Sequence, residues 1–91
     1  TVDEPPRASY QAPVTFPPRA RAQGTEGYVV FSILIGITGE IEQMEIVESY
    51  PEGVFDEAAT QGLNQWRFEP ATYQGQAVRA WAKQRIRFDL S

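Results

Sequence analysis

The stretch Phe55-Asp-Glu-Ala-Ala-Thr-Gln-Gly-Leu-Asn-Gln-Trp-Arg-Phe-Glu-Pro70 leaves the chain little choice of local structure. Its apolar residues, Phe55, Ala58, Ala59, Gly62, Leu63 and Trp66, recur at the i, i+3/i+4, i+7 spacing of one helical face. Asp56 and Glu57 fall in the first turn and Arg67 just past the last, which complements the helix dipole. Pro70 pushes Glu69 toward extended geometry and bounds the helix there. Glycine inside a helix costs about 1 kcal/mol relative to alanine. Close approach of a sheet to the small residues Ala58, Ala59 and Gly62 would account for it. The helix then exists to cover a sheet. Trp66 belongs to the core on this reading, and its truncation to alanine costs about 3–5 kcal/mol.

The sheet is written in three segments. Gly27–Gly36 is rich in β-branched and aromatic residues and apolar on both faces, as a central strand should be. Gly36-Ile-Thr-Gly39 reads as a hairpin connection, too short and without the lysine of a phosphate loop. Glu40–Ser49 is the second strand, with imperfect alternation that implies an edge position or a bulge near Met44. After Pro70 a loop is expected over Ala71–Gln76. Ala77–Leu90 is the third strand, with Ile86, Phe88 and Leu90 inward and Arg85, Arg87 and Asp89 outward. A short helix over Phe16–Gly24, with proline in its first turn and glycine at its stop, precedes them. Five of the seven prolines lie in the first eighteen positions, so residues 1–12 read as an extended or disordered linker end and residues 13–91 as one domain.

These pieces assemble as an α+β fold. The hairpin pairs strands one and two, and a right-handed helical crossover returns the third strand to the other side of strand one. The sheet is three-stranded, in order 2-1-3, with the short helix and the main helix on one face. The third strand is then an edge, whose free N–H and C=O groups can template an added strand.

Chemistry is confined by what is missing. With no Cys and no His among 91 residues, thiol or Ser-His-Asp nucleophiles, Cys/His zinc sites and disulfides are excluded. Only carboxylates such as Glu52, Asp56 and Glu57 remain as catalytic groups. Their place around a helix start reads as dipole complement rather than a hydrolytic pair. No cofactor and no enzymatic activity are expected. No apolar run approaches the roughly 18 residues of a membrane span, and no signal peptide is present.

The net charge of −4 is segregated. Residues 28–65 carry seven acids and no base, whereas residues 66–91 carry five bases and two acids. Such a balance disfavours nucleic acid as a partner. The basic strip Arg79, Lys83, Arg85 and Arg87, with Trp81, protects an edge strand against aggregation or forms a docking edge for an acidic peptide strand.

The order and spacing of several motifs are more specific than any one of them. They are Phe16-Pro17-x-x-Ala20-x-x-x-Gly24-x-Glu26-Gly27-x-Val29, Gly39-x-Ile41 with Val47-x-Ser49, Phe55-Asp56-x-Ala58-Ala59 leading to Trp66-Arg67-Phe68-x-Pro70, and the closing Ile86-x-Phe88-x-Leu90. Over Phe16–Leu90 the chain resembles the C-terminal domain of the TonB energy-transducing family. Phe16 stands where the family usually has tyrosine, and Gly62 where it has an alanine-like residue.

The resemblance implies a periplasmic coupling domain, tethered by a Pro-rich spacer to an inner-membrane anchor outside this chain. Its implied partners are ExbB and ExbD through that anchor, and outer-membrane receptors through their TonB box. The transport served is uptake of iron–siderophores or vitamin B12. By the family pattern the box pairs with the last strand at Lys83, Gln84, Arg85, Ile86 and Arg87. The segment around Gln11, Pro13, Phe16, Pro17 and Arg19 touches it as well. If the N–H of Ile86 faces that edge, Ile86→Pro abolishes binding. A TolA-like coupler or a free-standing peptide-binding module is the alternative. Exposed edges on the second and third strands also permit a weak homodimer.

Overall fold

The structure is a computed structural model that describes residues 2–90. The elements run β1 (Arg7–Tyr10), α1 (Pro18–Gln23), β2 (Gly27–Ile35), β3 (Ile41–Tyr50), α2 (Asp56–Leu63), β4 (Arg67–Glu69), β5 (Ala71–Tyr73), β6 (Gln76–Val78) and β7 (Ala80–Phe88). The architecture is α+β. The main sheet has the order β3-β2-β7, and both pairings are antiparallel.

One face of β2 explains where the core sits. Val29, Phe31, Ile33 and Ile35 are fully buried, together with Phe55, Ala59 and Leu63 around α2 and Phe88 on β7. Ala20 of α1, Phe68 and Ile86 complete the cluster, so both helices cover the same face. Phe55 and Phe88 stack at 4.4 Å between centroids, and Phe16 meets both edge-on at 5.6 and 5.8 Å. Edge-to-face and offset contacts suit the ring quadrupoles.

Local chemistry sets the boundaries. α1 starts on proline and stops at Gly24, whose left-handed φ of 70° is cheap only for glycine. Gly39 (φ 85°) closes a turn in which its N–H donates to the Gly36 carbonyl, and the Gly36 N–H donates to the Glu40 carbonyl at 2.8 Å. β3 keeps its register with β2 by skipping two residues. The shifts fall between the pairs Val30↔Glu48 and Phe31↔Ile46, and between Leu34↔Gln43 and Ile35↔Ile41. β3 is an edge strand, as its irregular alternation implied, and its bulges lie at Glu42 and Val47, on either side of Met44. The one at Glu42 resets the alternation, so Ile41, Met44 and Ile46 all turn toward the core side despite their spacing.

Other expectations are corrected. The main helix ends at Leu63, so Arg67 opens β4 instead of complementing the helix C-terminus. Trp66 lies beyond the helix and is only partly buried. It is held by Nε1–H donating to the Ala12 carbonyl at 3.1 Å. Gly62 makes room for the N-terminal segment rather than for the sheet: a Cβ there would lie 2.5 Å from Val14 Cγ1. The expected loop over Ala71–Gln76 and the start of the third strand are a hairpin, β5–β6, and Arg79 separates β6 from β7.

The proline-rich stretch expected as a linker end carries β1, which pairs antiparallel with β4. Prolines at 5, 6 and 13 flank this strand without interrupting it, as edge strands tolerate. The molecule measures 49 Å in its long dimension against 21 and 20 Å in the others.

Candidate functional site

The hairpin turn fixes which backbone groups of β7 are free. Because Gly36 directs its N–H to β3, the even-numbered residues of β2 turn their backbone groups to β3 and the odd-numbered ones to β7. The β2–β7 register is unbroken from Gly27↔Phe88 to Ile35↔Ala80. Ala80, Ala82, Gln84, Ile86 and Phe88 therefore spend their N–H and C=O groups on β2. Trp81, Lys83, Arg85 and Arg87 direct theirs outward, along an edge that no described strand occupies. The condition attached to Ile86 thus fails. Ile86 faces β2 through its backbone and the core through its side chain, which is 4% exposed.

The same alternation sorts side chains. Trp81, Lys83, Arg85 and Arg87 stand opposite Leu34, Ser32, Val30 and Tyr28 on the helix-free face of the sheet. Across β2 the register places Gln43, Glu45, Glu48 and Tyr50 on that face. A basic column and an acidic column thus flank an apolar one. Val30 is only 8% exposed on this helix-free face. The long charged side chains beside it cover it themselves.

The bases are unequally engaged. The Arg85 guanidinium lies 4.8 Å from the Tyr28 ring centroid. The Tyr28 hydroxyl donates to Glu48 at 2.6 Å. That hydrogen bond raises the phenol pKa above its ordinary value, with desolvation and the Glu48 charge acting the same way. Arg87 pairs with Asp89 at 3.3 Å and Arg79 with Glu42 at 2.9 Å. Lys83 has no ion-pair partner among the described residues. Gln84, on the core side, donates to the Arg85 carbonyl at 3.0 Å.

The N-terminal segment reaches this strand through one ring. Ala12 is buried against Trp66, while the half-buried Val14 packs against Gly62 and the half-buried Phe16 against Phe55 and Phe88. Segment 12–16 therefore runs along α2 and ends beside β7. Gln11 and Pro13 are exposed. Pro17 and Arg19 line a cavity of about 220 Å³ with Ala20, Gln23, Thr25 and Val54. Phe16 is thus brought to β7, whereas Pro17 and Arg19 contribute to a surface beside Val54.

Other chemistry has less support in the geometry. Glu52 and Glu57 are exposed and Asp56 is partly exposed, with Asp56 Oδ1 lacking a hydrogen-bond partner. The cavity of about 350 Å³ at the hairpin turn is lined by Thr38, Gly39, Glu40, Ile41, Asn64, Trp66, Arg67 and Phe68, away from those carboxylates. Thr38 donates to Glu40 from both its N–H and its hydroxyl, and the hydroxyl bond is the main reason the Glu40 carboxyl is held below its usual value. No described group of three or more His, Cys, Asp or Glu side chains could hold a metal ion.

Comparison with known proteins decides the family. The family model described as Gram-negative bacterial TonB protein C-terminal matches residues 12–90. The chain belongs to the TonB C-terminal domain family. Protein TonB of Pseudomonas aeruginosa is 33% identical over 78 residues, 86% of this chain and 23% of that protein. Protein TonB of Vibrio cholerae is 30% identical over 89 residues, 98% of this chain and 36% of that protein. The solution NMR structure of the P. aeruginosa TonB CTD superposes with a TM-score of 0.77 at 30% identity, over 98% of this chain and 90% of that one. The chain thus spans 23% and 36% of the lengths of these two relatives.

Sequence reasoning missed β1, β4 and the Arg85–Tyr28–Glu48 chain. Tyr28 and Glu48 become neighbours of Arg85 only once the register is known.

Proposed function

We propose that this domain is the periplasmic, receptor-binding end of an energy coupler. It captures the TonB box of outer-membrane receptors by strand addition to β7. It passes on motion driven by the proton-motive force, received from ExbB and ExbD through an inner-membrane anchor outside this chain. The transport served is uptake of iron–siderophores or vitamin B12. The reading rests most on one observation: in a TonB-family domain, the last strand presents an edge that no described strand occupies, with the N–H groups of Trp81, Lys83, Arg85 and Arg87 turned outward.

Backbone pairing gives affinity with little demand on side-chain identity, which suits one coupler serving many receptors. An acidic side chain on the incoming strand meets Lys83, since Arg85 and Arg87 already engage Tyr28 and Asp89. Gln84 and Ile86 support the strand from the core side, and Phe16 backs it through Phe88. Gln11 and Pro13 offer exposed contacts for a bound segment, and Pro17 and Arg19 extend them past Val54.

The test is a chimera in which residues 13–91 replace the matching domain of P. aeruginosa TonB, in a strain lacking its own copy. Siderophore-dependent growth that is lost with Lys83→Pro supports the reading. A stably expressed chimera that never restores uptake, with any receptor supplied, overturns it.

A further inference from the structure

The N-terminal residues are held in two very different ways. From Ala12 onward the chain is anchored in the core: Ala12 is 5% exposed and accepts the Trp66 indole N–H, and Val14 and Phe16 pack against the cluster. Before Ala12 the attachment is thin. β1 spans four residues, pairs only with three-residue β4, and its register shifts between Ala8 and Tyr10. Its Arg7–Glu69 ion pair is 3.1 Å long, with side chains 78% and 55% exposed. Beyond it, the Asp3 N–H donates to the Thr72 carbonyl at 2.7 Å, and Thr72 donates back to Glu4 at 3.0 Å. The Gln74 N–H donates to the Asp3 carboxylate at 2.6 Å. Ala8 packs on the core cluster, but the Arg7–Glu69 and Gln74–Asp3 bonds are exposed, where water replaces them readily.

We infer that residues 3–10 form a releasable strap: docked on β4 and β5 when the preceding chain is slack, peeled off as far as Ala12 when it is pulled. This rests on the proposed function only in assuming that load enters from the N-terminal side. Tension at residue 3 breaks the strap bonds one after another, whereas the β2–β7 pairing resists with an unbroken ladder of nine residue pairs over a fully buried core. Local openings span a wide range of stability within one fold, and thinly packed, exposed segments lie at the low end. Release frees roughly 28 Å of chain, eight residues at up to about 3.5 Å each. The β7 edge is untouched, so the tether lengthens while the grip is kept.

The test pulls single molecules of the 91-residue chain by its two ends, using the Arg7→Cys/Glu69→Cys variant. These residues are direct partners across β1 and β4. Facing strand residues lie close enough for a disulfide, and the chain has no other cysteine. In the reduced form a small, reversible lengthening should precede the main unfolding event. Oxidation should cut that step to the four residues ahead of the cross-link, roughly half its length, and shorten the main event, because only residues 69–91 then lie in the path of the force. Absence of the small step in the reduced form, or its persistence at full length in the oxidised form, overturns the strap. Peptide titration of both forms separates the two readings. Loss of TonB-box binding in both would refute the β7 edge and leave the strap standing.

Discussion

Proline substitutions on β7 separate the two sides of the strand with a single kind of change. Ile86 directs its N–H at β2 opposite Val29, and both residues are buried, at 4% and 0% exposure. Ile86→Pro removes that donor, leaves a buried carbonyl unpaired at about 1–3 kcal/mol, and trims a core side chain for about 1–2 kcal/mol more. The sum, about 2–5 kcal/mol, is a large share of the roughly 5–14 kcal/mol available to a domain of this size. Lys83→Pro deletes an N–H that faces solvent, and edge strands accept proline, so its cost in stability is about 1 kcal/mol or less. For an added strand the ranking reverses. Lys83→Pro removes one inter-strand bond and orphans a peptide carbonyl, about 2 kcal/mol, or roughly 30-fold in affinity. Lys83→Ala, which removes only an exposed charge, should weaken binding a few-fold. Urea melts read the stability ranking, and titration calorimetry with a TonB-box peptide reads the affinity ranking. Equal destabilisation by the two prolines, or a folded Ile86→Pro protein that alone loses binding, would refute the assignment of outward-facing groups.

Three further outcomes follow from the packing. Phe55→Ala should cost about 3–5 kcal/mol in denaturant melts, and Trp66→Ala about 2 kcal/mol because the indole is only half-buried; the reverse order would contradict the core described here. Gly62→Ala gains about 1 kcal/mol of helix propensity but forces a methyl into Val14, so a net loss of about 1–2 kcal/mol is expected; a rise in Tm would contradict the close approach. Glu48→Gln should return the Tyr28 pKa toward its ordinary value, read by ultraviolet titration. Because the folded-state pKa is raised, the Tyr28–Glu48 contribution is present below the ordinary tyrosine pKa. It fades as pH rises through the folded value, and an unchanged titration would exclude the hydrogen bond.

Periodicity made the main strands and the central helix legible, because burial of one face leaves a record in residue order. Val29, Phe31, Ile33 and Ile35 on β2, and Ile86 and Phe88 on β7, show it most clearly. Features created by two distant segments left no such record. The two β3 bulges are visible only as irregular alternation, because the residue that slips is chosen by the partner strand. β1 and β4 are short and mostly exposed, and their pairing joins residues sixty positions apart. Gly62 was recognisable as a close-approach position, but its neighbour Val14 was not. On the candidate site, the basic alternation of the last strand was legible. Which of its backbone groups are free depends on the Gly36–Glu40 turn two strands away.

The most direct measurement is an amide NMR titration of the domain with a synthetic TonB-box peptide, followed by hydrogen exchange of the complex. Strand addition on β7 should shift Lys83–Arg87 and slow exchange at Lys83 and Arg85, the outward-facing amides, while the exchange of Gln84 and Ile86 stays as slow as in the free domain. Saturating peptide that leaves the Lys83 and Arg85 amides unprotected would contradict it.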